Sequence, residues 1–183
     1  SNNKKELMKD AYNIAVRSAD QARDAEVRGA VIPVEGDGID HDKVARLLER
    51  LNVQGIEIKR ANESFTVEGS PFMDTASDSD HTFPAGTYYI DFVQPYSRLA
   101  RSILDPTQQT PVPQVDPRNP REEPFYDSQV QNLPLLFGVN AYTIEQEIPS
   151  IQSEAYNGYR PQISEPMSMG NTYGYIFPYG KES

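Results

Sequence analysis

The chain has 183 residues, of which 37% are hydrophobic, enough for one domain with a real core and some exposed segments. Its formal net charge of -10 argues against nucleic-acid binding, because phosphate contacts need a basic surface. The absence of cysteine excludes disulfides, thiolate metal sites and a cysteine nucleophile, and no apolar run approaches the roughly 18 residues of a membrane span.

A long amphipathic helix is predicted over residues 4–27, because apolar and small residues recur on one face between charged ones. Gly29 ends this helix. Small side chains favour close packing against a neighbouring element. The predicted stripe is Leu7, Ala11, Ile14, Ala15, Ser18, Ala22 and Ala25.

A strand–helix–strand unit follows. Residues 30–34 predict a short buried strand, and residues 56–60 alternate like a second strand. The helix between them begins at Asp40 or Asp42 and ends near Gly55. Its apolar face carries Val44, Leu47, Leu48 and Leu51. Two strands joined by a helix at this spacing predict a parallel pair with a right-handed crossover.

The next segment predicts a hairpin and a polar loop. Residues 64–68 read as a strand that pairs with the preceding one across a turn. Residues 69–82 read as a loop, and its carboxylates Asp74, Asp78 and Asp80 lack the spacing of an EF-hand. We interpret them as a solvated acidic cluster.

Residues 87–93 predict a strand rich in β-branched and aromatic side chains, and the period then changes to that of a helix. Pro95 suits the first helical position, and Asp105 before a proline ends the helix. A strand, a tight turn and a helix present backbone N–H groups where ligands are often held.

This turn predicts a ligand-binding site made of Gln94, Pro95, Tyr96 and Arg98. Gln94 stands where a short polar residue normally caps the helix, so its amide is available to a ligand or a neighbouring loop. The alternative is that the Gln94 amide bonds nearby backbone groups.

The last third of the chain is less regular. Residues 105–124 are proline-rich and predict an extended linker or surface excursion. A short helix then begins at Asp127 or Ser128 and closes at Gly138, residues 140–147 predict a strand, and the tyrosine-rich tail ends in a strand over residues 173–178.

Three blocks of this sequence resemble large bacterial zinc carboxypeptidases of the carboxypeptidase A type. The first is Phe-Pro-Ala-Gly-Thr-Tyr at residues 83–88 together with Gln-Pro-Tyr-Ser-Arg-Leu-Ala-Arg-Ser-Ile-Leu-Asp-Pro at residues 94–106. In those proteins this segment lies after the catalytic domain. Residues 126–142 resemble the next block, and residues 30–33 with the following helix resemble the preceding one. The blocks occur in the family's order.

The zinc motif of that family has no counterpart here. It needs a histidine with a glutamate three residues later, but Val44 follows His41 at that spacing and Pro84 follows His81. We therefore predict no catalytic or metal-binding residue and no cofactor in this chain. The resemblance places the zinc ion in another domain of the parent protein. Both histidines are interpreted as surface residues.

The sequence thus predicts an α/β fold with a small mixed, largely parallel sheet and packed helices. Residues 1–29 form an N-terminal helix, and residues 30–147 form the α/β domain. Residues 148–183 form an irregular tail with a final strand, and the resemblance implies that this strand opens a further α/β region.

The expected function is that of a non-catalytic accessory domain of a protein whose resemblance implies metallocarboxypeptidase activity, zinc binding and proteolysis. Its expected partner is the catalytic domain of the same polypeptide, and the resemblance implies a bacterial protein exported to the periplasm or the exterior. The alternatives are a stand-alone module that binds a glycan or a peptide at the Gln94 turn and the tyrosine-rich tail, and a protein-interaction domain. A concave pocket would favour the first, and a large apolar patch on the first helix or the tail the second.

Overall fold

The computed structural model describes residues 2–36, 38–72, 79–106 and 132–160. Within these ranges, seven strands form one antiparallel sheet that curls into a half-barrel, accompanied by four helices. The elements in chain order are α1 Asn2–Arg23, β1 Gly29–Ile32, α2 His41–Val53, β2 Lys59–Ala61, β3 Phe65–Pro71, β4 Ser79–Phe83, β5 Tyr88–Asp91, α3 Ser97–Leu104, α4 Leu133–Phe137, β6 Tyr142–Ile144 and β7 Ser153–Ala155.

The prediction of a largely parallel sheet is wrong. The strand order is β4-β3-β6-β1-β5-β2-β7, and every pairing is antiparallel. Strands β1 and β2 run in the same direction on either side of α2, but β5 lies between them. Tyr89 of β5 is in register with Val31 on one side and Lys59 on the other. The local spacing of strand, helix and strand could not reveal the strand inserted from later in the chain.

The predicted hairpin between residues 56–60 and 64–68 is also wrong. Strand β3 pairs with β4 and β6, whereas β2 pairs with β5 and β7. The region predicted as a polar loop contains the end of β3 and all of β4, so Asp80 lies on a strand. Asp74 and Asp78 lie outside the described residues.

The helices agree more closely with their predictions. Asp40 caps α2, because its side-chain Oδ1 accepts the backbone N–H groups of Asp42 at 3.1 Å and Lys43 at 3.2 Å. Helix α3 begins at Ser97 rather than Pro95 and ends before Asp105, as predicted. The predicted caps Asp127 and Ser128 lie outside the described residues, and so do most of the proline-rich segment and the predicted strand over residues 173–178.

The larger core lies between the sheet and the helices. Its fully buried members come from α2, from α3 and from alternate positions of β1 and β5. Burying each large aliphatic side chain contributes ~1.5–3 kcal/mol, so this layer holds α2 and α3 firmly on the sheet. Representative members are Ile32, Leu47, Leu48, Leu51, Ile90 and Leu104.

A smaller core fills the opposite, concave face. The ring centroids of Phe65 and Tyr89 are 6.1 Å apart, although β3 and β5 are separated by β6 and β1. In a flat sheet, three strand spacings would place them about 14 Å apart. The sheet therefore curls toward the face that carries Phe65 and Tyr89.

Glycines at two positions suit this curvature. Gly29 and Gly69 are both in register with Ile144, one on each side of β6. A Cβ atom on Gly29 would lie 2.7 Å from the carbonyl oxygen of Ile90, and one on Gly69 would overlap the carbonyl oxygen of Thr143. The close approach of backbones at this row therefore depends on the absence of side chains.

No helix among the described residues is long and apolar enough to cross a membrane.

Candidate functional site

The turn predicted to bind a ligand is occupied by the protein's own backbone. Gln94 is only 3% exposed. Its Oε1 accepts the N–H of Glu57 at 2.7 Å, and its Nε2 donates to the carbonyl oxygens of Asp91 at 2.7 Å and Glu57 at 3.3 Å. The alternative stated for Gln94, a bond from its amide to nearby backbone, is what the structure shows.

The other three predicted residues are exposed at the surface. Pro95 is exposed, and Tyr96 packs its ring over Gly55. The backbone N–H of Arg98 donates to Ser18 Oγ at 3.2 Å, and its Nη2 donates to Gln21 Oε1 at 3.2 Å. In the described structure, Arg98 therefore joins α3 to α1.

A cleft of about 670 Å³ lies elsewhere, at the end of the sheet where α2 begins. It is bounded by the segment after β1, by β2, by the turn before β5 and by residues 154–160. We call it the tyrosine cleft. Its side chains that can bind or carry charge are Glu35, His41, Arg60, Tyr88, Glu154, Asn157, Tyr159 and Arg160.

Two tyrosines, Tyr88 and Tyr159, line the tyrosine cleft, and Tyr156 packs against Tyr88 beside it. The ring of Tyr88 meets those of Tyr156 and Tyr159 edge to face, with centroid distances of 5.7 and 5.8 Å. The Tyr159 hydroxyl lies 2.6 Å from His41 Nδ1, within hydrogen-bond distance. Gly158 adopts a φ of 84°, which lets the chain turn back at this point. Aromatic contacts and this turn fix the segment on the sheet.

Tyr88 is the most deeply buried of these tyrosines. It is 3% exposed and lines the cleft. Burial raises the pKa of Tyr88 above its ordinary value of 10.0, despite the opposing charge of Arg60. Burial, with the nearby carboxylate of Glu35, also raises the pKa of Tyr159.

An ion pair crosses the floor of the cleft. Arg60 and Glu154 are cross-strand neighbours, and Nη1 of Arg60 donates to Oε1 of Glu154 at 3.0 Å. Both side chains are about half exposed, so the pair contributes at most ~1 kcal/mol to stability. Gly86, with a φ of 94°, lies under the guanidinium, because a Cβ there would be 3.4 Å from Arg60 Nη2. The pair positions a donor and an acceptor side by side.

The two histidines lie on different elements, and each contacts a tyrosine ring. His41 is engaged with Tyr159, and His81 lies on β4 rather than in a loop, with its ring centroid 4.7 Å from that of Tyr142. Nε2 of His81 also lies 3.1 Å from Ser79 Oγ. In the part of the chain that the structure describes, no group of three or more histidine, cysteine, aspartate or glutamate side chains is arranged to hold a metal ion.

A second surface is the outer part of α1. Ser18 and Ala22 are buried against the domain, but the four turns before them expose five large apolar side chains by 40% to 70%. We call this surface the α1 apolar face. Its members are Leu7, Met8, Tyr12, Ile14 and Val16.

Comparison with protein families, with curated proteins and with solved structures finds no match to this chain. Function is therefore inferred from the tyrosine cleft and the α1 apolar face themselves.

These two surfaces are only partly predictable from the sequence. The predicted apolar stripe on the first helix indicates the α1 apolar face, and the tyrosines of the tail include Tyr156 and Tyr159, which line clefts. Arg60, Tyr88 and Glu154 were missed, because they are brought together by strand pairings between distant segments. The tail and the Gln94 turn, predicted to act together, do not share the tyrosine cleft.

Proposed function

We propose that this chain is a non-catalytic accessory domain of a zinc carboxypeptidase-like protein, and that it docks through the α1 apolar face onto the catalytic domain of the same polypeptide. The observation that carries the docking is the exposure of five large apolar side chains on one helix. Contiguous exposed apolar surface of this kind marks interaction sites. The three blocks of sequence resemblance support the choice of partner.

The arrangement of α1 favours docking of its outer turns. Its inner end is fixed to α3 through Ser18, Gln21 and Arg98, so the helix presents its outer turns in a defined direction. Charged residues, including Asp10 and Arg17, lie away from the α1 apolar face on the helix surface. A partner that covers the α1 apolar face would leave these charges in water.

Burying the α1 apolar face against a partner would contribute a substantial free energy of association. Burying a leucine or isoleucine side chain contributes ~1.5–3 kcal/mol, so Leu7 and Ile14 together would contribute ~3–6 kcal/mol before the cost of association. In the proposed assembly, peptide-bond hydrolysis takes place at the zinc ion held by the catalytic domain. This chain contributes support and orientation, not zinc ligands.

The test compares this chain with a version extended upstream in the same reading frame, measuring zinc content and carboxypeptidase activity. We expect both only in the extended version. Stoichiometric zinc or turnover in this chain alone would contradict the proposal.

Docking is tested separately, by adding this chain to the separately produced upstream region and measuring binding by calorimetry. The variant Leu7→Gln/Ile14→Gln keeps helix propensity and should weaken binding at least 100-fold, as expected from the loss of ~3 kcal/mol. The control Asp10→Gln/Arg17→Gln keeps the net charge and should bind like the unmodified chain. Equal binding by the two variants would rule out the α1 apolar face as the docking surface.

A further inference from the structure

We infer that the tyrosine cleft is a binding site for a neutral saccharide. The first support is Tyr88, whose side chain is 3% exposed and lines the cleft. Its phenol hydroxyl can bond a hydroxyl of a ligand in the cleft, since a hydroxyl both donates and accepts.

The balance of charge in the cleft selects a neutral ligand. The cleft is lined by two arginines, Arg60 and Arg160, and by two glutamates, Glu35 and Glu154. An anion would meet two carboxylates and a cation would meet two guanidinium groups. Adjacent hydroxyls of a sugar can accept from Arg60 and donate to Glu154, which lie side by side at 3.0 Å.

The wall and the size of the cleft fit the same class. Tyr159, which is partly exposed, provides aromatic surface for the apolar C–H groups of a sugar ring, while His41 and Asn157 add polar groups at the rim. The volume of about 670 Å³ falls within the range of roughly 300–1,000 Å³ usual for small-molecule sites. This inference is independent of the docking through α1.

The test is a titration of the complete ¹⁵N-labelled chain with maltose, cellobiose, lactose and N,N′-diacetylchitobiose, followed by amide chemical shifts. We expect at least one disaccharide to shift the amides of Gly86, Gly158 and Tyr159. A neutral glycine–serine peptide serves as the comparison ligand. Absence of shifts with all four sugars would overturn the inference, as would shifts with the peptide alone, which would indicate strand addition to the edge of β7.

The variant Tyr88→Phe removes only the hydroxyl and should weaken binding about tenfold, as expected for one buried hydrogen bond. Tyr96→Phe, an exposed tyrosine outside the cleft, should bind like the unmodified chain. Unchanged affinity in Tyr88→Phe would overturn the inference. If Tyr88→Phe does not fold, Glu154→Gln replaces it, because Glu154 is half exposed and its loss should also weaken binding; unchanged affinity would then be the contrary result.

Discussion

The Gln94 side chain joins two parts of the domain through its backbone contacts. It bonds both the N–H and the carbonyl of Glu57, which precedes β2, and the carbonyl of Asp91 at the end of β5. Adjacent strands β2 and β5 are thus tied together at the end where α3 begins. A residue that sequence position suggested for ligand binding therefore stabilises the sheet.

Replacing this side chain should be costly. We expect Gln94→Ala to lower the free energy of unfolding by ~2–4 kcal/mol, because it removes three hydrogen bonds and leaves part-buried backbone groups of Glu57 and Asp91 without these partners. Urea denaturation measures the change. Gln152→Ala, at an exposed position, is the control and should change stability by less than ~0.5 kcal/mol. A loss below ~1 kcal/mol in Gln94→Ala would contradict this account.

The buried tyrosines predict a loss of stability at alkaline pH. Burial raises the pKa of Tyr88 in the folded state above the ordinary 10.0, so the folded protein holds this proton more tightly than the unfolded chain. This contribution is fully present below pH 10.0 and is lost as the pH rises through the folded-state pKa. Urea denaturation at pH values above 10.0 should show that the free energy of unfolding falls less steeply with pH in Tyr88→Phe than in the unmodified chain. If the free energy of unfolding falls equally with pH in both proteins, Tyr88 does not contribute to the alkaline loss of stability.

Glycine placement shows how sequence shapes an element as a whole. Strand β6 has Gly29 and Gly69 on its two sides, both opposite Ile144. Ile144 is fully buried on the concave face. One large side chain between two glycines leaves room for the strands to bend around it, which an uninterrupted row of branched residues would not.

Adding a methyl group to this row should destabilise the sheet. In Gly69→Ala, the new Cβ would overlap the carbonyl oxygen of Thr143 on β6, so we expect a loss of ~2–3 kcal/mol in urea denaturation. Gly38→Ala meets no atom within 4 Å but has a φ of 77°, so it should cost only ~1 kcal/mol of backbone strain. An equal or smaller loss in Gly69→Ala would show that β3 and β6 can separate without cost.

Local signals predicted individual elements well and their pairing poorly. The apolar period of α2, the stop at Asp105 and the left-handed Gly138 that closes α4 are properties of neighbouring residues. The position of β5 between β1 and β2 depends on contacts across the whole chain, which periodicity does not encode. The tyrosine cleft was hidden for the same reason, because Arg60 meets Glu154 only after β7 joins the sheet edge.

At the scale of the whole molecule, α1 is the least supported element. It contacts the domain through its inner end, at Ser18 and Ala22, while its outer turns have few buried side chains. In proteins, most of the stability of a helix comes from tertiary packing rather than from intrinsic propensity. The free energy of local opening should therefore be higher at the inner end of α1 than at its outer end.

Native-state hydrogen exchange measures this difference. We expect the free energy of opening to fall from the amides near Ala22 toward those near Leu7, because only the inner end is packed. In Leu7→Gln/Ile14→Gln the pattern should stay the same, since both side chains are exposed in this chain. Uniform protection along α1 would contradict this view of the helix.

The insertion of β5 between β1 and β2 also has a consequence for folding kinetics. β1 is the central strand, yet both strands that pair with it, β5 and β6, follow it only after several other elements. As the chain leaves the ribosome, β1 and α2 are complete while both edges of β1 still lack partners. Closing these long loops costs conformational entropy before the contacts of the sheet can form. The central part of the sheet therefore forms only when both β5 and β6 reach β1, and the segment from α1 to β2 cannot complete a sheet by itself.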